Sequence, residues 1–278
     1  VTSALAFLPF VILSTAAAQN TQPPIEKSAY HLFNPTPRAL WRPMSADRPD
    51  STESPYTVDA GAVQIELSFV EYAFRREHGR TRTSRSIAPI NLKLGLTNTI
   101  DLQLLLNPYE NETGGGEDDL DGIGDTGLRL KVNLLGNDDG DRALALLPFI
   151  SFPTGSDEVS ADAIEGGVAI PFAMALPFEF SLGLQIQLEF VDGDDHDRDT
   201  VFSHTAVIGH GIIGGLAAYL EYIGEVTLDG DDGYSPSLSC GLTYAISDNA
   251  QLDIGVVIGL DSSESDDLRL FSGLTMRF

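Results

Sequence analysis

The 278-residue chain carries 16 Lys+Arg against 41 Asp+Glu, a formal charge of −25, 42% hydrophobic residues and one cysteine. That apolar content excludes a disordered chain, and a lone Cys240 excludes a disulfide scaffold. A chain this acidic is repelled by phosphate, which excludes non-specific nucleic-acid binding.

Residues 1–18 carry no charge, and an apolar run from Ala4 to Leu13 is followed by Ala16 and Ala18 in an A-x-A arrangement. This reads as a secretory signal peptide cut after Ala18, although a basic n-region is missing. The run is too short for a membrane-spanning helix. No later run of eighteen apolar residues follows, so a helical membrane protein is excluded. Residues 19–61 hold seven of the 15 prolines, a density that neither a helix nor a ladder strand accepts. This irregular segment is expected to hang in the periplasm, pack against the main domain or plug its lumen.

From Val63 onward the period is two. In 178–190, Phe178, Phe180, Leu182, Leu184, Ile186, Leu188 and Phe190 alternate with Glu179, Ser181, Gly183, Gln185, Gln187 and Glu189. Side chains on a strand alternate between faces, so one face is apolar and the other polar. The same alternation marks 90–96, 100–107 (with Leu105 as an exception), 128–134, 252–260 and 268–278. It is weaker in 63–74, 142–152, 166–175, 200–209, 215–228 and 235–245. About twelve strands result, of roughly ten to thirteen residues against the five or six usual in soluble domains.

Strand length and alternation predict an all-β fold, a transmembrane antiparallel β-barrel of about 12 strands spanning 62–278. A closed sheet leaves no unpaired backbone edge in hydrocarbon. A soluble sandwich would alternate too, but its strands are shorter, and here charges of both signs stand in mid-strand. The polar-face residues Lys93, Asp101, Gln103, Arg129, Lys131, Gln185, Gln187, Glu189, Glu221 and Asp253 are the candidate lumen lining.

With both ends in the periplasm, the connections at 97–99, 136–141, 176–177, 209–214 and 247–250 read as short inner turns. Those at 108–121, 153–165, 192–199, 229–233 and 261–267 read as longer acidic outer loops, holding about half of the 41 acidic residues. One outer connection, 75–85, is basic and is read either as a solvated turn or as a contact for lipopolysaccharide phosphates. The run 192–199 lacks the spacing of a calcium loop, because position 196 is His and no Gly follows at 197; it is read as solvated loop charge, with weak divalent binding at the cell surface as the alternative.

Catalytic motifs are missing: no G-x-S-x-G, H-E-x-x-H or phosphate loop occurs, and adjacent Ser203 and His204 would leave opposite faces of a strand. His204 is read as packed or interfacial, and Cys240 as lipid-facing or packed. No enzyme activity, metal or cofactor is expected.

Phe278 ends a strand with apolar residues at alternate positions, which resembles the signal read by the outer-membrane assembly machinery. The stretches DRPDSTESPYTVDAGAVQIE (47–66), GDTGLRLKVNLLG (124–136) and ALLPFISFPTGSD (145–157) resemble the outer-membrane proteins grouped with the meta-pathway of phenol degradation. The resemblance implies a barrel and passage of small, often hydrophobic or aromatic compounds. A closed structural or interaction barrel with acidic surface loops is the alternative. The partners implied are outer-membrane lipid, the assembly machinery and a small-molecule solute.

Overall fold

The computed structural model describes residues 26–77, 80–114, 119–193, 198–229, 233–261 and 267–278. The proposed signal peptide at 1–18, the centre of the 192–199 run and most of the 261–267 loop lie outside these residues.

Among the described residues the chain forms fifteen strand segments in one antiparallel sheet. They are β1 (Val63–Glu77), β2 (Arg80–Ile87), β3 (Ile90–Gly95), β4 (Ile100–Leu106), β5 (Tyr109–Gly114), β6 (Leu120–Gly122), β7 (Thr126–Leu135) and β8 (Arg142–Phe152). Then follow β9 (Glu165–Ala175), β10 (Phe180–Asp192), β11 (Arg198–Ile213), β12 (Leu216–Thr227), β13 (Tyr234–Ser247), β14 (Ala250–Gly259) and β15 (Leu268–Arg277). β2 and β3 both pair with β1 and form one barrel strand interrupted at Ala88 and Pro89; β4 with β5, and β6 with β7, join in the same way. The wall therefore has twelve strands.

β15 pairs with β1 from Gln64↔Arg277 to Phe74↔Leu268, which closes the sheet. The main chains of Val63 and Phe278 exchange hydrogen bonds of 2.8 and 3.2 Å and seal the short-turn end of that seam. Closure removes both edges, so backbone N–H and C=O groups of the wall pair within it. No helix among the described residues is long and apolar enough to cross a membrane; the crossing is made by strands.

The two faces have opposite chemistry. Leu184, Ile186, Ile208, Leu220, Leu242, Ile254 and Leu270 stand exposed on the outside, while Lys93, Gln103, Lys131 and Glu221 are buried inside. This is a soluble protein turned inside out, as hydrocarbon contact demands. Cys240 faces outward. His204 also faces outward and stacks on Tyr234 at 5.9 Å, whereas Ser203 lines an inner cavity.

Several boundaries differ from the sequence reading. β10 starts at Phe180, not 178, because Pro177 ends the ladder and Phe178 and Glu179 adopt positive φ of 63° and 61° in the turn. β11 continues through Gly209 to Ile213, and the chain reverses at Gly214 and Gly215, a tighter turn than 209–214. The basic connection 75–85 is mostly strand, and so is much of 108–121. The ladder extends past the apolar band there, since backbone pairing is indifferent to polar side chains. Leu105 is the apolar exception on the inner face: it continues the column of Asp101 and Gln103 and lines a cavity.

Candidate channel interior

The inner face is built by parity. On β4, Asp101 and Gln103 point inward because Ile100, Leu102 and Leu104 must meet lipid. The same constraint sends Lys93 inward on β3, Arg129 and Lys131 on β7, Gln185, Gln187 and Glu189 on β10, Glu221 on β12 and Asp253 on β14. Lys93 and Lys131 are 1% exposed, and Asp101 and Glu221 0%. Ions buried this deeply need partners, and the partners come from the Pro-rich segment.

That segment runs along the inside of the barrel. At its innermost stretch, the Asp47 carboxylate accepts from Lys131 Nζ at 2.7 and 2.9 Å and from Lys93 Nζ. Lys93 also pairs with Glu66 of β1, whose carboxylate accepts from the Asp47 backbone N–H at 3.1 Å. The Arg48 guanidinium donates to both oxygens of Asp253, at 3.2 and 2.8 Å, and to Ser68. Glu53 pairs with Arg129, and its backbone N–H donates to Gln185 at 2.9 Å. Glu221 accepts from the backbone N–H groups of Ser51 and Thr52, at 2.9 and 2.8 Å, and from the Thr52 hydroxyl at 2.7 Å. Gln187 bridges Gln185 and Glu189 along the wall.

A second charged cluster anchors the segment at the end of the barrel that carries the short turns. Asp59 accepts from the Arg42 backbone N–H at 3.0 Å and pairs with Lys27 at 3.3 Å, Arg42 at 3.4 Å and Arg277 at 3.6 Å. Lys27 reaches Asp138 in the turn after β7 at 2.7 Å. Burial works against the Asp138 charge. Hydrogen bonds from Lys27 and Asn98, and the nearby Arg42, outweigh it and hold the carboxyl below its usual range. Gly95 is required where the strand meets this foot, because a side chain there would collide with the Asp59 carbonyl.

One sector of the inner wall is apolar instead. Ala143, Ala145 and Leu147 of β8 and Ala169 and Pro171 of β9 are fully buried. Pro55 is buried with them, and its carbonyl accepts from Asn133, which pairs across from Ala145. Both faces of β8 are therefore apolar, which explains its weak alternation in the sequence.

The segment leaves space above and below. Toward the long loops lies a cavity of about 350 Å³ floored by residues 47–51 and 53, with Arg129, Arg269 and Phe271 in its walls. A neighbouring cavity of about 360 Å³ is lined by Gln185, Gln187, Thr205 and Glu225. At the opposite end, Arg38, Trp41, Arg42, Asp248, Asn249 and Arg277 line a cavity of about 600 Å³. All ten residues singled out from the sequence thus have a place on the inner face. Asp47, Arg48, Thr52, Glu53 and Asp59 were missed, since an irregular segment has no period to mark facing. A usable signal existed: Lys93 on β3 and Arg129 and Lys131 on β7 flank β4 on the inner face and must find carboxylates.

A family model described as "Putative MetA-pathway of phenol degradation" matches residues 46–278. The chain shares its fold with the COG4313 outer membrane channel from Pseudomonas putida F1, at TM-score 0.60 and 16% identity, covering 84% of this chain and 100% of that one. The transport unit of the autotransporter AIDA-I from Escherichia coli follows at TM-score 0.52 and 11% identity, covering 84% and 92%. The NanC porin gives 0.50 at 9% identity, covering 77% and 98%. No curated protein matches the chain. With its closed twelve-stranded wall, the chain is an outer-membrane β-barrel, and it belongs to the family named for the meta-pathway of phenol degradation.

Proposed function

We propose that the protein is an outer-membrane channel for small compounds, aromatic ones among them, and that residues 26–61 are a plug setting its resting state. The observation that carries this reading is how the centre is held. A structural barrel needs only its own wall, yet here the wall's buried charges are satisfied by a separate segment, Lys93, Lys131, Arg129 and Asp253 through ion pairs and Glu221 and Asp101 through its backbone N–H groups. Cavities stand on both sides of that segment. Family membership supports aromatic cargo. The ten inner-face residues act as the lumen lining, and the acidic outer loops disfavour anionic solutes. Export by residues 1–18, cleaved after Ala18, and insertion through the C-terminal strand ending in Phe278 belong to the same reading.

The test is solute flux into proteoliposomes. Phenol and small sugars should enter faster with a chain lacking residues 26–61 than with the full chain. Equal flux, at the level of protein-free liposomes, would instead favour the closed barrel, a reading to which the fully buried Lys93, Asp101 and Glu221 lend themselves.

A further inference from the structure

The outer rim of this barrel is strongly acidic except at one hairpin. β1 and β2 carry Arg75, Arg76, Arg80, Arg82 and Arg85, five of the 16 basic residues. Parity divides them. Beyond the irregularity between Ser68 and Val70, Glu71 and Arg75 line inner cavities, so Tyr72, Phe74 and Arg76 face outward. Arg85 pairs across from Tyr72 and shares that outward face, while Arg82, opposite Arg75, faces inward and pairs with Glu112.

Arg76 and Arg85 therefore stand on the lipid side of the wall. Each guanidinium lies over an aromatic ring: Arg76 over Phe74 at 5.8 Å and Arg85 over Tyr72 at 5.6 Å. Neither has an ion-pair partner among the described residues. The nearby Asp267 carboxylate accepts from the Arg76 backbone N–H at 2.7 Å. Below them the outer face of β1 is apolar from Val63 to Phe74, twelve residues, slightly more than the nine to eleven a tilted strand needs to cross hydrocarbon. The two arginines thus sit where the acyl region gives way to headgroups, with stems along apolar surface and charges at its edge. Thr81 and Thr83 share their face and offer hydroxyls beside them.

We propose that Arg76 and Arg85 form a binding site for the phosphorylated glycolipid of the outer leaflet. The guanidiniums would hold glycolipid phosphate by charge-assisted hydrogen bonds. The threonines would meet sugar hydroxyls, and Tyr72, Phe74 and Val70 the upper acyl chains. Charge complementarity fixes the place: the acidic loops elsewhere on the rim repel phosphate, so a bound glycolipid is confined to this hairpin. The site rests on the outer-membrane location and is independent of whether the lumen conducts.

The test is native mass spectrometry of the full barrel in detergent micelles doped with lipid A. Wild type should retain lipid A, and R76Q/R85Q should lose about tenfold or more of that occupancy, two charge-assisted contacts having gone. Lipid A stripped of its phosphates should bind wild type as poorly as lipid A binds the variant. Inorganic phosphate at the same concentration should neither bind nor compete. R38Q, which removes a cation at the short-turn end, should bind like wild type. Heat-modifiable gel migration checks that each variant is folded; if the double variant does not fold, R85Q alone is read, with a several-fold loss. Undiminished occupancy in the arginine variants, equal binding of the dephosphorylated lipid, equal loss in R38Q or competition by inorganic phosphate would each overturn the proposal.

Discussion

The wall and the segment inside it are held by different forces. The wall is a ladder of main-chain hydrogen bonds closed from β15 to β1, and its outward side chains only have to be apolar. The inner segment shares few main-chain-to-main-chain bonds with the wall; its backbone groups are met by wall side chains such as Glu66, Glu221, Gln185, Asp101 and Asn133. It is held by Asp47, Arg48, Glu53 and Asp59, each engaging an oppositely charged side chain of the barrel or of the barrel end. A ladder fails as a unit, whereas side-chain pairs can be undone one at a time. Side-chain substitutions should therefore loosen the segment while the wall persists.

Single substitutions separate the two. Asp47→Ala would leave two buried ammonium groups without their shared carboxylate and should weaken seating of the segment by about 3 kcal/mol or more. The expected sign is protease cleavage within 26–61 while heat-modifiable migration of the barrel is unchanged. Ile254→Arg places a charge on the lipid face in mid-strand and should cost the wall about 2–4 kcal/mol. Urea titration of folding into vesicles would measure it, and protease access to the segment should not rise. Gly95→Val pushes a branched side chain into the Asp59 carbonyl and should loosen the foot at the short-turn end by about 1–3 kcal/mol. Thr52→Val removes one hydroxyl from Glu221 while leaving two backbone donors, an effect of about 1 kcal/mol in the same protease assay.

The smallest effect is one of pH. The Asp138 carboxyl is held below its ordinary range, so its contribution is complete above the unfolded value. It fades as pH falls through the lower folded one. The group is partly exposed, so about 1 kcal/mol or less is at stake. Protease access to the segment should increase below about pH 4, and Asp138→Asn should show the loosened state already at pH 7.

The wall was legible because lipid on one side and polar groups on the other write a period of two into β4, β7, β10 and β14. Legibility stopped where that contrast stops. β8 has Ala143, Ala145 and Leu147 inside, so both of its faces read alike. The extensions of β1, β2 and β5 pass beyond hydrocarbon and lose the apolar column, so they resembled loops. The ten polar inner residues could be named, but their partners could not. The path of residues 26–61 is decided by which carboxylate reaches which cation, and nothing local in the sequence records that.

Single-channel current across a planar bilayer tests the central claim most directly. The full chain should conduct weakly, Asp47→Ala should flicker to larger steps, and a chain without residues 26–61 should hold one large, stable conductance. Identical currents in all three, or none in any, would contradict a lumen closed by a charge-held segment.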